Sequence, residues 1–244
     1  MKTLLSIALC CLLCLLAFAP SLRAQQPTKK RNVLLISVDD LNDWVGCLGG
    51  HPQAKTPNID ALAERGTLFA NAHCQSPVCN PSRASLLTGR YPHTTGIYFL
   101  SPGYQSAPVL KGVKTMPERF ADDGFEVMGV GKIFHSQGNQ VFAKVGSYGG
   151  GMGGFGPRPQ KKISQPHGHP LWDWGAFPER DDQMPDYSVA NWAIERLEKR
   201  YDKPFFLAVG FWRPHVPMFA PKKWFDLHPR DQIKLPVIQE KDND

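Results

Sequence analysis

The chain has 244 residues, 42% of them hydrophobic and 20% charged, which reads as a soluble globular protein with one substantial core and no room for several domains. Its formal net charge of +6 is mild and spread along the chain, which excludes a nucleic-acid binder built on a basic patch. The same excess would still help draw in an anionic substrate.

The first residues read as an export signal. Lys2 is followed by an apolar run from Leu4 to Ala19 that is too short for a spanning helix, and small residues then lead to a cleavage point between Ala24 and Gln25. The expectation is residues 1–24 as signal peptide, 25–31 as a basic linker and 32–244 as the folded part, exported to the periplasm or secreted, with no stable membrane insertion after cleavage. Cleavage removes Cys10, Cys11 and Cys14 and leaves Cys47, Cys74 and Cys79. An odd number in an exported protein implies a cysteine that is free, modified or paired with another chain. Cys47 and Cys74 either join in a disulfide or stay as buried thiols.

Val33 to Val38 (VLLISV) predicts a central parallel strand buried on both faces, ending in Asp39 and Asp40. Thr56-Pro57 opens a helix with the Thr56 hydroxyl as cap, Ile59, Leu62 and Ala63 facing inward, and Gly66 as its stop. Between Cys74 and Arg90, Pro81 marks a helix start, Ala84 to Leu87 a buried turn and Gly89 the end. Thr115 to Asp123 predicts a helix with Glu118 three residues after its cap. Phe125 to Val130 is a strand that runs into Gly131-Lys132-Ile133-Phe134-His135.

Gly146 to Gly156 holds seven glycines and reads as a flexible loop, with no dinucleotide fingerprint. Pro157 to Pro185 reads as an irregular surface excursion. Asp186 caps a helix running to about Lys199, with Val189, Trp192, Ala193 and Leu197 on its apolar face. Phe205 to Gly210 (FFLAVG) is a second buried strand, followed at once by Arg213 and His215; the proline-rich remainder shows no closing element. Strands alternating with helices predict an α/β fold, a mostly parallel sheet with helices on both faces. Asp39 and Asp40, Lys132 and His135, and Arg213 and His215 all follow strand ends, where open α/β sheets place their ligands.

The residue types there suit anion chemistry. Asp39 and Asp40 offer hard oxygens for calcium or magnesium, or form an ordinary solvated turn. Cys79 near a helix start has backbone N–H groups that favour an anion, and Arg83 four residues on can bind an oxyanion through paired donors. Taken alone, Cys79 is equally a buried hydrophobe or a thiolate nucleophile. Lys132 can act as a fixed charge and His135 as a proton donor or acceptor, while Pro214 and Pro217 stiffen the backbone around His215.

The segment Cys79-Asn80-Pro81-Ser82-Arg83 through Leu87-Thr88-Gly89-Arg90 resembles the C-x-P-S-R…L-T-G-R signature of the formylglycine-dependent sulfatases. Asp39-Asp40 after a buried strand and Gly131-Lys132…His135 fit the same family, and Phe206 to Pro217 is similar to its iduronate-2-sulfatase branch and bacterial relatives. The resemblance implies an alkaline-phosphatase-like sulfatase fold, incomplete at the C-terminus because family members continue with a later metal pair and another lysine. It implies that a maturation enzyme converts Cys79 to formylglycine, whose hydrate attacks sulfur with one hydroxyl and releases sulfate with the other. It implies one calcium ion held by Asp39, Asp40 and the modified Cys79, with Arg83 steadying that residue and Lys132, His135 and His215 binding sulfate and moving protons. The implied substrate is a sulfated carbohydrate with 2-O-sulfated uronate character, as in glycosaminoglycan degradation. Two alternatives stand beside this: a truncated, non-catalytic remnant or anion-binding module, and a phosphatase or phosphotransferase of the same superfamily, which would more naturally carry Ser or Thr as nucleophile.

Overall fold

The computed structural model describes residues 30–236 except 136, 165 and 166. The export signal and its cleavage point lie outside the described residues. From residue 32 onward the chain forms one compact unit. Among the described residues no helix is long and apolar enough to cross a membrane.

The main sheet has four strands among the described residues, β1 (Val33–Val38), β2 (Glu126–Gly131), β3 (Ser147–Tyr148) and β5 (Phe205–Phe211), in the order β1-β5-β2-β3. Every pairing is parallel. The register aligns Val38 with Phe211 and Gly131 with Gly210, so three strands end level at one edge. β4 (Trp174–Ala176) and β6 (Met218–Ala220) form a separate two-stranded parallel ribbon.

Helices cover both faces, as expected. Helix α1 spans Pro57–Glu64, α2 Cys79–Thr88, α3 Met116–Asp122, α4 Gln140–Val145 and α5 Pro185–Leu197. On one face Phe120, Val141, Phe142 and Leu87 pack with Val127, Phe206 and Ala208. On the other Val189, Trp192 and Ala193 of α5 pack with Met128, Val130, Leu207 and Val209. Each fully buried Val, Leu or Phe stabilises the sheet sandwich by roughly 1.5–3 kcal/mol. Thr115 closes the start of α3, its backbone N–H and its hydroxyl both donating to the Glu118 carboxylate at 2.7 Å. Glycine decides how closely the two central strands meet: Gly131 has φ +78°, and a Cβ there would strike the Gly210 carbonyl. That contact lets Lys132 N–H donate to Gly210 O at 2.8 Å.

Several expectations are corrected. β1 is an edge strand of the described sheet, with Leu34 44% and Ile36 51% exposed, so only one face of VLLISV is covered. The inward face expected for α1 is open, since Ile59 and Leu62 are 41% and 55% exposed. The Thr56 hydroxyl does not cap that helix; it accepts from Gly46 N–H at 2.8 Å and donates to Asp60 at 3.1 Å. α2 begins at Cys79, two residues before Pro81. The glycine-rich stretch contributes β3, with Gly149 N–H donating to Gly129 O at 2.8 Å and Trp192 packed over Gly149 where no Cβ would fit. β4 and β6 lie in segments read as irregular. Cys47, Cys74 and Cys79 are all free, and Cys74 is exposed, so neither the disulfide nor a pair of buried thiols is formed.

Candidate functional site

The level strand ends bring the polar residues together. Asp39 follows β1, its N–H donating to Phe211 O at 3.2 Å, and its side chain is 3% exposed. Burying a carboxylate that deeply requires a cation, and two are present. Arg83 Nη2 donates to Asp39 Oδ1 at 2.7 Å, and Lys132 Nζ donates to Asp39 Oδ2. Arg83 Nη1 also donates to the carbonyls of Lys132 at 2.5 Å and Ile133 at 2.9 Å. Three guanidinium N–H donors are thus spent on protein acceptors, which fixes the group against Asp39 and the 132–133 backbone. Burial works to raise the Asp39 pKa, but Arg83 and Lys132 outweigh it and hold the carboxyl below the usual range. Asp39 is therefore ionised at neutral pH.

Asp40 turns the chain at φ 57° and is exposed. His215 Nε2 lies 3.8 Å from Asp40 Oδ2 and 4.0 Å from Asp39 Oδ2. One ligand atom from each of Asp39, Asp40 and His215 lies within 4.8 Å of the others, a cluster able to approach a metal ion. The two carboxylates suit a hard cation; an imidazole nitrogen does not suit calcium. The oxygens of Asp39 already bound by Arg83 and Lys132 each keep a second lone pair. Asp39 and Asp40 thus fit part of a calcium shell, which takes about six to eight oxygens in all.

Cys79 is the first residue of α2, and its Sγ lies 3.2 Å from His135 Nδ1. Burial raises the Cys79 thiol pKa more than the nearby Lys132 lowers it. Burial, and then Lys132, push His135 below its ordinary value, so its ring is neutral at neutral pH. A cavity of about 560 Å³ is lined by Asp39, Asp40, Cys74, Cys79, Ser82 and Arg83. Lys132 Nζ, 2% exposed, lies 5.1 Å from the Trp212 ring centre, a cation–π distance.

The candidate site residues thus gather at one sheet edge, and among the described residues His215 joins Asp39 and Asp40 in the acidic cluster. Sequence reasoning missed Asp186. It was expected to cap α5, but α5 starts at Pro185 and the Asp186 carboxylate instead accepts from the backbone N–H groups of Trp212 at 2.8 Å and Arg213 at 2.9 Å. Trp212 was read only as part of the Phe206–Pro217 segment of the family resemblance. An Asp in a helical first turn carries no sign of a partner 26 residues away, and no sequence signal separates the two uses.

The parallel α/β sheet with helices on both faces is that of the alkaline-phosphatase-like fold. Residues 31–234 match the sulfatase family, and the chain belongs to it. A sulfatase of Formosa agariphila is 41% identical over 90% of this chain and 46% of its own length. Human iduronate 2-sulfatase is 35% identical over 90% of this chain and 41% of its own. A solved 2-O GAG sulfatase superposes with a TM-score of 0.53 at 27% identity, covering 76% of this chain and 35% of its own. The chain spans less than half the length of these relatives. The expected family holds. The narrower likeness to iduronate-2-sulfatase is exceeded in identity by the Formosa protein.

Proposed function

We propose that this chain supplies the N-terminal part of the catalytic domain of an exported sulfatase that hydrolyses sulfate esters on carbohydrate. The observation that carries the reading is the buried Asp39–Arg83–Lys132 assembly beside Cys79 and His135 at the start of α2. It fixes a cation next to a helix N-terminus, which is the arrangement an oxyanion needs. Asp39 and Asp40 would hold part of the calcium shell, and the ion when bound would polarise a sulfate oxygen. Formylglycine, made from Cys79 by a maturation enzyme, would supply the oxygen nucleophile.

The remaining work falls to the chain's own side chains. Lys132, anchored on Asp39, sets a buried positive charge behind a carboxylate that lines the pocket. Arg83 ties α2 to the Lys132–Ile133 backbone and so keeps Cys79 beside that charge. Neutral His135 can take or return a proton at Nδ1, which faces Cys79. His215 can do the same at Nε2, which faces the acidic pair.

The finer substrate, a 2-O-sulfated uronate, draws on the Phe206–Pro217 segment and on the likeness to human iduronate 2-sulfatase. Export rests on Lys2 and the apolar run before Ala24. The remnant or anion-binding reading is favoured by one observation: the described residues gather only three candidate ligands around the metal position. The test is turnover of an aryl sulfate and of 2-O-sulfated uronate oligosaccharides, with and without calcium. This chain is compared with any longer product of the same gene, both with verified formylglycine. Calcium-dependent hydrolysis of the oligosaccharide is expected from the longer product. Inactivity of that product on every sulfate ester would leave the remnant reading standing.

A further inference from the structure

Behind the pocket, a second set of contacts holds the turn that carries His215. Asp186, in the first turn of α5, points its carboxylate away from its own helix and receives the N–H groups of Trp212 and Arg213, one on each oxygen, at 2.8 and 2.9 Å. The Arg213 side chain then reaches forward. Its Nη1 donates to His215 O at 2.8 Å and its Nη2 to Phe155 O at 2.6 Å. Its Nε is buried with no partner among the described residues. A guanidinium donor left unpaired in the interior offsets part of what the two carbonyl bonds contribute to stability.

What the brace achieves is visible in His215. The His215 N–H donates to Trp212 O at 3.0 Å, and the ring packs against Phe155 at 5.2 Å between centres. Its Nδ1 lies 2.6 Å from Val216 O. A carbonyl only accepts, so Nδ1 carries a hydrogen, and in the neutral ring Nε2 then keeps the lone pair. Nε2 faces the Asp39 and Asp40 oxygens at 4.0 and 3.8 Å. The same turn places the Trp212 ring beside Lys132 Nζ, with Trp212 Nε1 donating to Gly151 O at 3.1 Å.

We infer that Asp186 and Arg213 are positioning residues, fixing the 212–216 turn so that His215 directs Nδ1 at the Val216 carbonyl and Nε2 at the acidic pair, and Trp212 stays against Lys132. The inference rests on the proposed role of His215 and Lys132 at the sulfate site. Neither Asp186 nor Arg213 touches the cavity that Cys79 lines; both act through the turn.

The test reads the His215 tautomer directly. Chain labelled with 15N-histidine is recorded by two-bond 15N–1H correlation above pH of about 8, where an ordinary imidazole is neutral. His215→Gln identifies the signal. Wild type should show the Nδ1–H pattern. Arg213→Gln, which leaves the Asp186 hydrogen bonds in place, and Asp186→Asn should both move His215 toward a mixture of tautomers. Arg213→Lys, which keeps one charged donor, should restore part of the wild-type pattern. In the turnover assay the first two variants should lose about 100-fold in kcat with KM little changed, the scale expected when a reacting group is displaced by about 1 Å. An Nε2–H pattern in wild type would overturn the inference at once. So would a wild-type His215 signal in a folded Arg213→Gln chain whose only change is a lower melting temperature. If Asp186→Asn does not fold, the two Arg213 variants and the wild-type tautomer decide. If no form of the protein turns over a sulfate ester, the functional proposal fails while the tautomer measurement still judges the brace.

Discussion

Replacing Asp39 with asparagine removes the one negative charge between two interior cations. Lys132 and Arg83 have side chains only 2% and 7% exposed, and both bond the same carboxylate. Breaking one buried ion pair by deleting a partner costs about 3–5 kcal/mol, because the surviving charge stays desolvated and unpaired. Asp39 serves two such partners, so Asp39→Asn should lose at least that much, against a total stability of about 5–15 kcal/mol for an ordinary domain. Lys132→Met is the contrasting case. It removes the ammonium together with its desolvation cost and leaves Asp39 paired with Arg83, so the loss should be nearer 1.5–3 kcal/mol, roughly the worth of a hydrogen bond to a charged partner. The double variant leaves one unpaired cation instead of two and should cost less than the two single losses added together. Urea unfolding followed by tryptophan fluorescence gives the three values from the shifts in midpoint. The reasoning is wrong if Asp39→Asn stays within about 1 kcal/mol of wild type, the scale of an exposed pair, or if Lys132→Met proves the more damaging change.

Peptide mass spectrometry of protein co-produced with a maturation enzyme should find Cys79 converted from thiol to aldehyde or its hydrate; unmodified cysteine in material from the native host would contradict this. N-terminal sequencing of exported protein should begin at Gln25, and recovery of a chain starting at Met1 would defeat the export proposal. Burial pushes the Tyr148 phenol up to about 12, and its hydroxyl donates to Gly131 O at 2.8 Å just beneath the site. Because the folded value lies above the unfolded value of about 10, Tyr148 contributes stability that is complete below pH of about 10 and lost as the pH climbs through about 12. Tyr148→Phe should therefore flatten the alkaline decline of the urea midpoint in that window, and an unchanged slope would refute the assignment.

Much of the architecture was legible because it is written in local patterns. β5 is a continuous apolar run and is buried along six of its seven residues, and the spacing of Val189, Trp192 and Ala193 matches the packed face of α5. What was not legible depends on partners distant in sequence. β3, β4 and β6 are two or three residues long, and none has the length or alternation that marks a strand alone. Each exists because a neighbouring backbone offers hydrogen bonds, β3 to β2 and β4 to β6. The apolar pattern of β1 and α1 misled in the opposite sense. Leu34, Ile36, Ile59 and Leu62 read as core from their spacing, yet all are exposed in a chain that spans less than half of its curated relatives' length.

The site was legible as a set of residues and not as a set of bonds. Position after a strand end found Asp39, Lys132 and His215, but only the level register of β1, β2 and β5 shows why they meet. The three readings left open for Cys79 can now be separated by its surroundings. A packed hydrophobe would be sealed in the core, whereas Cys79 is half-buried and lines a cavity of about 560 Å³. A thiolate nucleophile needs a depressed pKa, and burial raises this one despite Lys132 nearby. Nor does His135 supply a standing imidazolium to steady a thiolate, since burial and Lys132 both disfavour the charged ring. An unmodified thiol at this position is thus poorly placed for any nucleophilic role. Yet the helix N-terminus and the anchored lysine beside it favour chemistry on an anion. The proposed formylglycine, whose nucleophile is an oxygen, would need no thiolate, and the mass measurement decides the identity of residue 79 in the mature protein.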